Sequence, residues 1–125
     1  MNVVYDAGVL VGADRGDRSI WAEHRIRLDL GLAPVTTAPV VAQVSRSPRQ
    51  AQLRRFLRGC MVVPFESHQA HQVGTLLGKA GSSDVTDGHL VAVAGSVRAP
   101  VLTADLDDMA RLSACLDNPV PVMRI

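Results

Sequence analysis

Short runs of β-prone residues recur along this chain, and each gives way to a stretch with helical spacing. Val3-Val4-Tyr5 stops at Asp6 and is followed by the small, apolar segment Ala7 to Ala13, which suits a tightly packed helix. Pro34 to Thr37 leads into a helix opened by Pro39 and running through Val44. Cys60 to Phe65 reads as a buried strand with Ser67 as the next helix cap, and Val101-Leu102-Thr103 is a strand ending near Asp105. Between them lie a helix capped by Ser19 with Ile20, Trp21, His24, Leu28 and Leu32 at helical spacing, and an arginine-rich helix from Arg49 to Arg58. An apolar stripe of Ala70, Val73, Leu76 and Leu77 ends at Ala80-Gly81, and a very apolar helix runs from Thr86 to Val97. A helix over Asp107 to Leu116 and a proline-limited edge strand over Val120 to Ile125 finish the chain. Strands alternating with helices imply right-handed crossovers and an α/β fold with a central, mainly parallel sheet covered on both faces.

At 125 residues the chain reads as one domain, residues 1–125, able to bury a core without a metal or disulfide staple. Its net charge of +1 announces no nucleic-acid binder by itself, and no apolar run is long enough to span a membrane. An acid at position 6 and the absence of early basic residues argue against a secretory leader, so a cytoplasmic protein is expected. Cys60 and Cys115 stand alone and read as reduced, partly buried thiols. The segment Gly74 to Ala80 has the wrong spacing for a phosphate loop, and His68 and His71 lack a third ligand and read as solvent-facing. His24 and His89 read as hydrogen-bonded packing residues.

The acids carry the functional signal. Ten of the 12 acidic residues are Asp, and five of those fall between positions 84 and 108. Ligands in open parallel sheets bind outside the carboxyl ends of the strands, where Asp6 and Asp105 are expected. Asp84 and Asp87 are three apart, so Asp84 as a cap would put both at one helix end. Short carboxylates at strand ends and helix starts suit a hard cation such as Mg²⁺.

This order of acids resembles the PIN-domain family, and within it the VapC-type toxin ribonucleases of VapBC toxin–antitoxin systems. The matching segments are Val3 to Leu10, Thr37 to Val44, Ser83 to Ala92 and Val101 to Asp105. The resemblance implies a PIN-like three-layer fold and a Mg²⁺-dependent endoribonuclease, with Mn²⁺ as a possible substitute. Asp6, Asp87 and Asp105 match the catalytic and metal-holding acids, with Asp84 and Thr103 accessory. Gln43 stands where the family usually has Glu, which keeps the shape but removes a charge. The alternative is therefore a catalytically weakened module that binds RNA or an antitoxin. Arg46, Arg49, Arg54, Arg55 and Arg58 form the densest basic stretch, a candidate contact for RNA or antitoxin. The resemblance further implies an RNA substrate, a cognate VapB-type antitoxin and a homodimer; Trp21 would suit the antitoxin groove.

Overall fold

A computed structural model describes residues 2–125. Its elements in chain order are β1 (Val4–Tyr5), α1 (Ala7–Asp14), α2 (Arg18–Asp29), β2 (Val35–Thr37), α3 (Ala38–Val44), α4 (Ala51–Leu57), β3 (Met61–Val63), a 3₁₀ turn (Ser67–Gln69), α5 (Ala70–Ala80), α6 (Val85–Val97), β4 (Val101–Thr103), α7 (Leu106–Ala114) and β5 (Val122–Arg124). The fold is α/β, as expected, with one five-stranded sheet in the order β3-β2-β1-β4-β5. Every pairing is parallel, so the sheet is wholly rather than mainly parallel.

Helices flank this sheet in two groups. Helix α1 packs against α2, α3 and α4, and α6 packs against α5 and α7. The central strands are buried on both faces, with Val4, Tyr5, Val35, Val101 and Leu102 shielded from water, as crossovers on both sides require. Two glycines allow the close approaches that shape the carboxyl edge. A Cβ on Gly8 would lie 2.9 Å from that of Ala104, so its absence lets α1 sit against the exit of β4. A Cβ on Gly88 would lie 2.8 Å from Leu77 Cδ2, so α5 closes on α6 one residue from Asp87.

Several local expectations change. Asp17, not Ser19, caps α2: its Oδ1 accepts from the Ser19 and Ile20 amides at 3.0 and 3.2 Å. A carboxylate two residues earlier reaches the free amides better than a hydroxyl inside the first turn. Helix α2 stops at Asp29, leaving Leu32 beyond it. The arginine-rich helix begins only at Ala51, which places Arg46 and Arg49 in the preceding loop. The cap expected of Ser67 is taken by Glu66, which exchanges a capping box with Gln69 ahead of the 3₁₀ turn. The strand expected to be buried, β3, is the outermost one, and Met61 and Val62 are exposed. No helix among the described residues is long and apolar enough to cross a membrane.

Candidate functional site

The acids at the carboxyl edge are placed by capping. Asp6 follows β1 and caps α1, its Oδ1 accepting from the Ala7 amide at 2.7 Å. Asp84 caps α6 and accepts from the Asp87 amide at 3.0 Å, which sets those two acids one turn apart. Asp105 opens α7 beyond β4. The strands β1 and β4 pair directly, so the residues leaving them meet.

Thr103 joins two of these acids. Its hydroxyl donates to Asp6 Oδ2 at 2.6 Å and accepts from the Asp105 amide at 2.9 Å. Both Thr103 and Asp6 are buried, whereas Asp105 and Asp84 are exposed at the rim and Asp87 is half-buried. The hydroxyl has one proton and spends it on the carboxylate, so Asp6 is held in a fixed orientation.

Burial and, after it, mutual repulsion set the electrostatics. Burial, then the charges of Asp84, Asp6, Asp105 and Asp108, push Asp87 up to about 7. Asp105 is also raised, by desolvation and then by Asp108 and, more weakly, Asp6. Five carboxylates therefore share one electrostatic environment with little positive charge in it. Arg111 is the nearby cation; it pairs with Asp108 at 3.1 Å and lines a cavity of about 270 Å³ with Asp84 and Asp87. Asp108, in the first turn of α7, is a further acid of this edge, and its place one turn after Asp105 is the sequence signal that could find it.

The donor set is all oxygen, which fits a hard divalent cation. No group of three His, Cys, Asp or Glu side chains among the described residues converges closely enough to grip an ion directly. The fit is therefore to a cation that keeps much of its water, with Asp6, Asp87 and Asp105 as the carboxylates available to hold it. Gln43 is exposed on the last turn of α3 and makes no hydrogen bond to any of these acids among the described residues.

The basic stretch divides. Arg46 donates to the Ala42 and Ser45 carbonyls, and Arg54 donates to that of Pro48, so both tie loops to helix ends. Arg55 lies over the Trp21 ring at 4.7 Å, while Arg49 and Arg58 are exposed. Trp21 is half-buried and donates to the Ala13 carbonyl. His24 accepts or donates at Tyr5 Oη, 2.9 Å away, in keeping with its expected packing role. His89 departs from that expectation: it is fully buried and stacked on Phe65 at 4.4 Å, yet neither ring nitrogen has a hydrogen-bond partner. The Pro64 carbonyl faces it without reaching bonding geometry, and burial lowers its pKa.

No family model matches the chain, and no curated protein matches it. Among solved structures, VapBC2 from Rickettsia felis bound to a DNA fragment from its promoter shares the fold at a TM-score of 0.76 and 16% identity, over 100% of this chain and 99% of that chain. FitAcB from Neisseria gonorrhoeae matches at 0.62 and 15% identity, over 97% of this chain and 96% of that one. FitAB bound to an IR36 DNA fragment matches at 0.62 and 14%, over 98% and 94%. The neighbours are toxin–antitoxin structures. At these identities the likeness shows the fold alone.

The identification with the PIN-domain family and its VapC-type toxins is overturned. The neighbours that share this size and five-stranded parallel sheet are VapBC and FitAB complexes, two of them holding DNA. The physical reason lies in the caps. Asp6 and Asp84 each satisfy free amides at a helix start, so acids in this order are what the fold's own helix entries ask for and do not single out a toxin nuclease.

Proposed function

We propose that this chain acts within a toxin–antitoxin system as a Mg²⁺-dependent endoribonuclease, with Mn²⁺ as a substitute. The observation that carries the reading is Asp87, gathered with four other carboxylates at one edge and raised to about 7 by burial and then by their charges. Perturbed acids gathered at the carboxyl edge of a parallel sheet mark a site with work to do. When bound, a divalent cation supplies a water of lowered pKa and neutralises charge on the phosphate oxygens. Asp6, fixed by Thr103 and the Ala7 amide, and Asp87 would hold that cation. Asp105 would orient a water toward phosphorus, and attack in line with the 3′ oxygen, which leaves as the 3′-hydroxyl, would give a 5′-phosphate on the other fragment. The reading carries with it an RNA substrate, a protein partner that restrains the activity and a homodimer paired through helices.

A second reading, a module that binds RNA or its protein partner with catalysis weakened, is favoured by Gln43, an exposed, uncharged residue where the resemblance would have an acid. The test is cleavage of structured RNA in Mg²⁺ or Mn²⁺ by wild type, Asp6→Asn and Gln43→Glu, with chelator controls and mapping of the ends. Cutting by wild type that vanishes in Asp6→Asn is the expected result. Silence in wild type with cutting by Gln43→Glu would establish the second reading, and silence in all three would end the nuclease reading.

A further inference from the structure

The cavity of about 270 Å³ beside the acids is lined by groups of both signs. Asp84 and Asp87 reach it from the start of α6, and Asp108 from the first turn of α7. Arg111 is the one cation lining it among the described residues. It stands six residues beyond Asp105 on α7, about 9 Å along the helix at a rise of about 1.5 Å per residue. Its guanidinium meets Asp108 Oδ1 at 3.1 Å, but the two side chains are 57% and 53% exposed. An ion pair so open to water contributes little and is readily exchanged for another anion.

Ser82 adds a donor to the same cavity. Its hydroxyl accepts from the Asp84 amide at 3.2 Å, so its own proton is left over, and it donates to no acceptor among the described residues. A phosphate uses both groups, because a guanidinium offers it two parallel N–H bonds and a hydroxyl can serve a further oxygen. The need for such a cation follows from the charge of the edge. A divalent ion among the acids neutralises the phosphate it touches, whereas the next phosphate along a strand would face Asp84 and Asp108 with only Arg111 to offset them.

We propose that Arg111, helped by the Ser82 hydroxyl, binds the RNA phosphate next to the one that is cut and so sets the strand across the acids. In doing so Arg111 gives up Asp108. The inference rests on the ribonuclease reading in taking RNA as what this edge holds. Arg111 fixes the strand and leaves the chemistry at the scissile phosphate to the acids.

The test follows a labelled single-stranded RNA by fluorescence anisotropy over a range of salt in Mg²⁺, with the full chain carrying Asp6→Asn so that nothing is cut. Adding Arg111→Ala should weaken binding about tenfold and reduce the slope of log affinity against log salt by about 0.7, the share of one phosphate on a single strand. Arg111→Lys should keep the slope with a looser grip. Asp108→Asn, which frees Arg111, should bind at least as tightly as its parent, whereas a purely structural ion pair would make it lose affinity as Arg111→Ala does. Arg98 lies at the far end of α6 in a left-handed conformation that glycine accepts, so Arg98→Gly removes a charge away from the cavity and should leave the slope unchanged. No RNA binding, an unaltered slope in Arg111→Ala, or equal losses in Arg111→Ala and Asp108→Asn would overturn the proposal. The two readings fail separately. With Asp6 restored, a chain that binds RNA through Arg111 and never cuts it ends the ribonuclease reading alone, and one that cuts with an unchanged KM in Arg111→Ala ends this proposal alone.

Discussion

Tyr5 and Asp6 are neighbours at the end of one strand, yet they belong to opposite electrostatic regions. On the Tyr5 side everything is paired. The phenol meets His24 Nδ1 at 2.9 Å and accepts from Arg27 Nη1 at 3.2 Å, His24 stacks on Phe56 at 3.9 Å, and Trp21 meets Phe56 edge-on at 5.0 Å. Burial pushes the Tyr5 phenol up to about 12 despite Arg27, so it stays a neutral partner. On the Asp6 side the charges are left in excess, and Asp87 is driven to about 7. A satisfied network specifies the fold, whereas an unsatisfied one stores the capacity to bind something of opposite charge.

Thr103 is where the two regions can be separated most sharply, because its hydroxyl serves only the acid side. Thr103→Val keeps the shape in the sheet and removes the donor that orients Asp6. Metal-dependent cleavage should fall about 10–100-fold, as it does when a partner that orients a metal-holding group is lost. Activity assays of the purified variant check this, and unchanged activity would detach Thr103 from the site.

The mirror experiment is Tyr5→Phe. It removes the hydroxyl that joins His24 to Arg27 and leaves a buried ring nitrogen without its partner, which should cost about 1–3 kcal/mol of stability. Denaturant titration measures that cost. Cleavage should be unaffected once the variant is folded, and a catalytic loss would mean that the aromatic side also tunes the acids.

The sequence exposed these two regions unequally. The inner strands were legible because Val3-Val4-Tyr5 and Val101-Leu102-Thr103 are β-prone runs that stop at acids, and those acids fall at helix starts as capping demands. Strand β3 was misread as buried because a short apolar run looks the same in the middle of a sheet and at its edge. Only the strand order, which depends on distant pairings, makes β3 outermost. The arrangement of the arginine stretch is hidden for a similar reason: Arg46 and Arg54 turn to backbone carbonyls along a loop whose path no local pattern records. Asp108 was hidden by its ordinary role, since an acid in a helix's first turn is favourable whatever else it does. His89 was expected to find a hydrogen bond, and packing on Phe65 took precedence.

The smallest effect distinguishes the regions by the sign of their response to pH. His24 is buried and its pKa is lowered by desolvation, so the unfolded chain binds the proton more readily. Its contribution is present above about pH 6.5 and is lost as pH falls below that value. Asp87 runs the other way: its pKa is raised from 3.8 to about 7, so the folded chain binds the proton more readily. Its contribution is complete below the unfolded value and is lost as pH rises through about 7. Asp87→Asn should therefore stabilise the protein at pH 7.5 by about 1 kcal/mol, after discounting for solvent screening at a half-open site, or roughly 4 °C in melting temperature. At about pH 4 the gain should largely disappear, because the folded wild type already carries the proton there. Added Mg²⁺ should raise the melting temperature of wild type at pH 7.5 and leave Asp87→Asn nearly unmoved, since the cation and the amide relieve the same repulsion. A gain of equal size at both pH values would locate it in packing and remove the electrostatic distinction between the two sides of β1.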